Sequence, residues 1–170
     1  MKIDVFKGSK RVRLLGRCDD ESLAPVAIVR RVNKSRQVDL QTAAGVRAEL
    51  LGTHNKFFEL LVRYALVEIE MPLGATPMTD AGGAGPVAID YSRVVEPARN
   101  GIALGEIASE EVFDALPDAE ASAIQLVAAG AIEPERAEEM LRKIGRRAGD
   151  QGNTGGTPVP PNPEDAAVKN

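Results

Sequence analysis

The sequence FFELLVRYALVEIEM, residues 57–71, is the most apolar stretch of the chain. It contains two of the four Phe and one of the two Tyr, and Trp is absent from the whole chain. The rest of the core must therefore be aliphatic, and any sizeable core has to be built on this stretch.

Two secondary structures fit this central stretch. As a strand, it places alternate apolar residues on one face and needs a bulge near Ala65–Leu66, where the alternation switches. As a helix, it presents one apolar face, ends near Ala65 and gives way to a strand at Val67–Met71. We favour the strand, because the neighbouring segments also alternate.

The overall composition is that of a globular protein. The chain has 170 residues, of which 44% are apolar and 27% charged. No run approaches the roughly 20 apolar residues of a membrane span. Residues 1–5 show no signal-peptide hydrophobic region, and a single Cys, Cys18, excludes an internal disulfide or a Cys-based zinc site. We therefore expect synthesis and folding in a reducing cytoplasm.

Charge is distributed unevenly along the chain. Residues 1–70 carry 13 Lys and Arg against 9 Asp and Glu, a net charge of +4. Residues 71–170 carry 8 against 16, a net charge of −8. Such an asymmetry favours head-to-tail contacts between copies or contacts to partners of opposite charge, whereas the alternative interpretation is an ordinary mixed surface.

The first part of the chain, residues 1–78, is predicted to be a β-rich domain. It contains several short alternating segments separated by turn signals, including a turn at Asn33–Ser35 and a returning strand at Gln37–Gln41. This pattern predicts an antiparallel sheet folded into a sandwich or barrel-like structure. Residues 79–86 are rich in Gly and predict a flexible linker, although a long loop within one domain also fits.

The second part, residues 87–148, is predicted to be a small module of a hairpin and helices. A strand is expected at Val87–Tyr91, and Asn100-Gly101 is the strongest hairpin signal in the chain. Three helices are predicted to follow. Ser109 is expected to cap the first, which stops near Leu116, and Asp118 is expected to cap the second, residues 119–129. The third begins at Glu133-Pro134, and its predicted apolar stripe is Ala137, Met140, Leu141 and Ile144. Residues 149–170 are rich in Pro and Gly and predict a flexible or extended tail. The predicted fold class is therefore α+β.

Few residues suit catalysis or metal binding. His54 is the only His, and no base accompanies Cys18 in the sequence. The acidic run at residues 19–21 lacks the spacing of a calcium loop, and the glycines of residues 82–85 lack the continuation of a phosphate loop. We therefore expect a protein that is not an enzyme and has no cofactor or metal site; a site built from carboxylates alone stays open.

The one concentrated basic cluster is a candidate contact site. It consists of Arg30, Arg31, Lys34 and Arg36 and is predicted to decorate a hairpin. There it could contact nucleic-acid phosphates or an acidic partner protein. No aromatic residue is interleaved with these cations, which argues against single-strand binding. The alternative interpretation is a solvated hairpin tip.

A segment of the second part resembles a known class of proteins. Residues 118–134, DAEASAIQLVAAGAIEP, follow Gly105-Glu106-Ile107 and the acidic helix start Glu110-Glu111. This arrangement in residues 105–134 is similar to a segment of small structural and head–tail proteins of tailed bacteriophages and prophages. The resemblance implies a virion or viral assembly component and carries over no functional residue.

The sequence thus leads to two functional hypotheses. The first is a non-enzymatic phage structural protein, such as a head decoration, connector or assembly component, that acts in the virion through protein–protein contacts. Its partners would be copies of itself and other virion proteins, with no role for a membrane. The alternative is a nucleic-acid-binding accessory protein that uses the basic hairpin.

Overall fold

Five helices and two small antiparallel sheets make up the part of the chain that is described, which confirms the predicted α+β class. The computed structural model describes residues 8–15, 21–45, 54–71 and 90–151. The strands are β1 (Ser9–Arg13), β2 (Val26–Arg30), β3 (Leu66–Glu70), β4 (Arg93–Glu96) and β5 (Gly105–Ala108). The helices are α1 (Lys34–Ala44), α2 (His54–Ala65), α3 (Glu110–Ala115), α4 (Asp118–Ala128) and α5 (Pro134–Gln151).

The larger sheet has three antiparallel strands in the order β1-β2-β3. Strand β2 lies in the middle, where Ala27 pairs with Val12 on one side and with Ile69 on the other. All three of these side chains are buried. Among the described residues this sheet does not close into a barrel, and the expected sandwich or barrel is not confirmed.

The central stretch is a helix followed by a strand, so the favoured all-strand prediction is wrong. Helix α2 ends at Ala65, and β3 begins at Leu66, close to the junction that the alternative interpretation predicts. Leu60, Leu61 and Val62 are all buried, because α2 packs against α1, α3, α4 and β5 on different sides. The apolar residues of this stretch fit the helical period and also alternate as in a strand, so the pattern alone did not decide between the two structures.

The predicted turn at Asn33–Ser35 and strand at Gln37–Gln41 are also wrong, because α1 occupies this region. The Asn33 Oδ1 atom accepts a hydrogen bond from the Arg36 N–H at 2.8 Å and caps the helix. Gly45 ends it with a φ of +69°, in the left-handed region that glycine tolerates. Within α1 only Leu40 and Ala43 are buried, so the helix has almost no amphipathic pattern to detect.

The predicted hairpin is confirmed. Asn100 and Gly101 both have positive φ values, 50° and 79°, as a tight two-residue turn requires. Arg99 and Ile102 exchange two backbone hydrogen bonds across this turn, of 3.0 and 2.9 Å. Strands β4 and β5 form the arms, and β4 ends at the residue before Pro97, which has no N–H group to continue the pairing.

The three helices that follow begin and end close to their predicted positions. Ser109 caps α3, since its hydroxyl accepts a hydrogen bond from the Val112 N–H. Asp118, which was expected to cap α4, is its first helical residue, and Pro117 takes the cap position without a side-chain hydrogen bond. The predicted stripe of α5 is only half correct, because Ala137 and Leu141 are buried whereas Ile144 is exposed.

One hydrophobic core joins the two parts of the chain. It includes Val12 and Leu60 from the first part and Ile107, Ile124 and Leu141 from the second. The predicted strand at Val87–Tyr91 is described only at residues 90 and 91, which form no strand. The predicted linker, residues 79–86, lies outside the described residues. The predicted tail, residues 149–170, begins too early, because α5 continues to Gln151, and residues 152–170 lie outside the described residues.

Replacement of the α1 cap tests the helix at residues 34–44. We expect Asn33→Ala to lower the free energy of unfolding by about 1 kcal/mol, because the Arg36 N–H loses its acceptor. The control is Ser35→Ala on the exposed first turn of the same helix, which should change stability by less than about 0.5 kcal/mol. Urea unfolding followed by circular dichroism measures both variants, and equal effects would contradict the helix assignment.

Candidate functional site

Arg63 fixes the β4–β5 hairpin to the central helix. Its side chain is 1% exposed, and its Nε donates to the Ala108 carbonyl oxygen at 2.8 Å. One terminal nitrogen lies 2.7 Å from a carboxylate oxygen of Glu96, whose side chain is 4% exposed. The other lies 2.9 Å from Glu59, on the same face of α2 one turn earlier. A buried arginine of α2 therefore binds both strands of the hairpin.

Glu96 is held on both of its oxygens. The oxygen that is not bound by Arg63 accepts a hydrogen bond from the Arg99 Nε at 2.7 Å. Burial acts to raise the pKa of Glu96, but the hydrogen bonds and charges of Arg99 and Arg63 outweigh it and hold the pKa below its ordinary value. This carboxylate is therefore ionised at neutral pH and serves as a fixed anchor.

Further hydrogen bonds attach the hairpin and the residues before it to α1 and β3. At its tip, Asn100 Nδ2 donates to the carbonyl oxygens of Thr42 and Ala43, the last residues of α1, at 3.0 and 3.2 Å. Ahead of β4, the Tyr91 hydroxyl donates to the Leu66 and Val67 carbonyl oxygens of β3. Burial raises the pKa of Tyr91, which keeps this phenol a donor. The hairpin is thus attached to α1, α2 and β3.

The face of β4 opposite Glu96 carries an exposed apolar residue. Val95 is 78% exposed, whereas Val94, which lies on the opposite face of the strand with Glu96, is 40% exposed. Strand β4 pairs only with β5, so its other edge is unpaired among the described residues. Unpaired strand edges are templates for pairing with another chain.

The predicted basic cluster lies at the end of β2, in the following loop and in the first turn of α1. It is not on a hairpin, so that part of the prediction is wrong. Arg30 is the last residue of β2, Arg31 lies in the loop, and Lys34 is the first residue of α1. The Arg31 guanidinium lies against Gly130 at the end of α4.

The structure brings an aromatic ring into this cluster. The Arg30 guanidinium carbon lies 3.6 Å from the centre of the Tyr64 ring, and that of Arg36 lies 4.7 Å away. Arg30 Nε also donates to the Tyr64 carbonyl oxygen at 2.5 Å. Tyr64 stands at the end of α2, far from these cations in the sequence, so no local pattern predicts the contact. Its position in the apolar central stretch is the only signal that the sequence offers.

Burial and neighbouring charges affect these two arginines differently. Burial lowers the pKa of Arg30, and Tyr64 offsets part of this effect. Burial also acts to lower the pKa of Arg36, but hydrogen bonds to Asp39 and Tyr64 outweigh it and raise the pKa. Arg36 further donates to the Ala103 and Leu104 carbonyl oxygens of the hairpin segment. Arg36 is therefore mainly a structural residue.

Three members of the basic cluster differ from the other described cations because they form no ion pair. Every other Lys and Arg side chain that the structure describes, Arg36 included, forms an ion pair with a carboxylate. In the described part of the chain, Arg30, Arg31 and Lys34 form none. These three cations, which lie within five residues of the sequence, therefore carry a positive charge that the surrounding described residues do not neutralise.

Ion pairs within one molecule neutralise part of the charge asymmetry along the chain. Ion pairs join basic residues of the first part to acidic residues of the second, as in Lys10–Glu133 at 3.2 Å and Arg13–Glu138 at 3.9 Å. The buried Arg63–Glu96 pair also joins a basic residue of the first part to an acidic residue of the second. Part of the asymmetry expected to act between copies is therefore neutralised inside the fold.

An open cleft of about 280 Å³ lies beside β1 and β3. Arg11 on its wall pairs with Glu70 through both carboxylate oxygens, and Glu21 pairs with Arg142 at 2.5 Å. In the described residues, no group of three His, Cys, Asp or Glu side chains could hold a metal ion. The charges in this cleft thus bind one another.

Comparison with known proteins gave no matching family model, and neither curated proteins nor solved structures gave a significant match. No helix in the described part of the chain is long and apolar enough to cross a membrane. The candidate sites are accordingly the two surfaces defined above: the outer edge of β4 with Val95, and the unpaired cations Arg30, Arg31 and Lys34.

Loss of one partner of the buried ion pair should be more harmful than loss of both. We expect Arg63→Met to lower the free energy of unfolding by about 3–5 kcal/mol, because Glu96 stays buried with less compensation. The double variant Arg63→Met/Glu96→Leu should recover part of this loss. Urea unfolding of the native chain, the double variant and the two single variants Arg63→Met and Glu96→Leu completes a double-mutant cycle. If the two single effects simply add up in the double variant, the two side chains are not energetically coupled.

Acid should weaken the hairpin attachment through Glu96. Because its pKa is lower in the folded state, Glu96 contributes stability above its unfolded pKa of about 4.3, and this contribution is lost as the pH falls through the folded pKa. Stability measured from pH 6 to pH 3 should therefore fall less steeply in Glu96→Gln than in the native chain. The control is Glu106→Gln, whose side chain is 59% exposed, and it should keep the native slope. Equal slopes in all three proteins would contradict this role.

Proposed function

We propose that the chain is a non-enzymatic structural component that acts through protein–protein contacts, with the outer edge of β4 as its self-association surface. The phage-like segment of residues 105–134 suggests the class: a head decoration, connector or assembly component of a tailed phage. The observation that carries the self-association proposal is a hairpin bound firmly to the rest of the fold, whose β4 edge is unpaired among the described residues and carries the exposed Val95.

The rigid attachment of the hairpin favours binding. Arg63, Asn100 and Tyr91 hold it to three different elements, so little conformational entropy remains to be lost when its outer edge is covered. An extended edge can add a strand from a partner through backbone hydrogen bonds, and exposed side chains such as Val95 supply apolar contact.

A second copy of the chain is the partner that we propose for this edge. Most oligomers of soluble proteins are formed by identical chains, and an antiparallel pairing of two β4 edges would be two-fold symmetric. Strand β4 has only four residues, so a single contact of this kind would be weak. Assemblies gain stability from many such weak contacts between linked copies.

A charge placed on the β4 edge tests self-association. We expect Val95→Asp to shift the native protein from oligomer to monomer, because a carboxylate would be buried against the partner strand. Size-exclusion chromatography with light scattering measures the mass across a range of protein concentrations.

Val38→Asp is the matched control. Val38 is 58% exposed and belongs to α1, not to the hairpin, so the substitution adds the same charge to another exposed valine and should leave the mass unchanged. A native protein that is monomeric at every concentration would refute self-association. An equal loss of mass in both variants would show that β4 is not the contact.

A further inference from the structure

We propose that Arg30, Arg31 and Lys34 form a contact site for the phosphate backbone of double-stranded DNA that is independent of base sequence. This site goes beyond the self-association surface and uses different residues. Among the described Lys and Arg side chains, these three are the ones that no described carboxylate neutralises. They span four Cα–Cα steps, at most about 15 Å, which is short enough to face neighbouring phosphates of one duplex.

The start of α1 adds to the positive potential. Helix α1 has 11 residues, and Lys34 stands at its first position, where the aligned peptide dipoles place partial positive charge. Asn33 caps the helix through the Arg36 N–H, and no acidic residue stands in its first turn. The nearest paired carboxylate on this helix, Asp39, lies one turn later and binds Arg36 at 3.2 Å.

Arg30 is held in place before any ligand arrives. Its guanidinium lies over the Tyr64 ring, and its Nε is bound to the Tyr64 carbonyl oxygen. A side chain that is already ordered loses less rotamer freedom on binding. Arg31 and Lys34 are exposed. The site thus combines one ordered cation with two that can adapt to the position of a phosphate.

The composition of the site favours nucleic acid over protein. The centres of protein interfaces are depleted in charge, whereas DNA interfaces are polar and strongly positive. Val32, the apolar residue within the cluster, is buried and cannot form the apolar centre of a protein contact. Arg30 and Arg36 lie close over the Tyr64 ring, which leaves it poorly placed for base stacking. Duplex backbone is therefore the ligand that this chemistry fits.

Fluorescence anisotropy with a labelled 20-base-pair duplex tests the site in the full chain. Three phosphate contacts predict a slope of about −3 for the logarithm of the association constant against the logarithm of salt concentration. Arg31→Gln/Lys34→Gln removes two of them, so the slope should change to about −1 and binding at 50 mM salt should weaken at least several-fold. A second duplex of unrelated sequence should bind equally well.

The control variant is Arg136→Gln/Lys143→Gln on α5, which removes the same charge from two exposed side chains that pair with Glu139. It should keep the native slope, as should Val95→Asp, which separates this site from self-association. No duplex binding by the native protein at 50 mM salt would refute the proposal. Equal losses in the two double variants, or binding of polyglutamate as tight as that of the duplex, would also refute it.

Discussion

The buried ion pair between Arg63 and Glu96 is the interaction on which the arrangement of this protein depends. Removing two charges from water is costly, and the cost is offset only when both groups are fully hydrogen-bonded. Arg63 meets this requirement by binding Glu96, Glu59 and the Ala108 carbonyl oxygen, while Arg99 completes the shell of Glu96. These contacts are satisfied together only when the hairpin lies against α2, so the pair determines the position of the hairpin.

The ion pairs distinguish cations that stabilise the fold from cations that are free to bind another molecule. Lys10, Arg13 and Arg63 pair with acidic residues far away in the chain and hold the two parts together. The cations at residues 30, 31 and 34 have no such partner among the described carboxylates. A surface whose charge is already neutralised attracts little counter-charge. The unpaired cations are therefore the place where we propose that an anion binds, and the unpaired β4 edge is the separate place that we propose for protein contact.

Local signals predicted the second part of the chain well. Asn100-Gly101 specified its turn because both residues tolerate positive φ, and Ser109 indicated a helix start because its hydroxyl satisfies a free N–H group. The same reasoning was available for α1, which begins after Asn33 and ends before Gly45. The alternation of residues 37–41 outweighed those caps in the prediction, although alternation on a mostly exposed helix has no structural meaning.

The sequence by itself determined the α+β class, the hairpin turn, most boundaries of the last three helices and the identity of the basic cluster. The tertiary structure decided that residues 57–71 form a helix and a strand, because their apolar pattern fits either structure and only the contacts of α2 with other elements favour the helix. It also placed Tyr64 beside Arg30 and left three cations without a described partner. Those properties depend on which distant residues meet, and a linear sequence carries no local signal of such contacts.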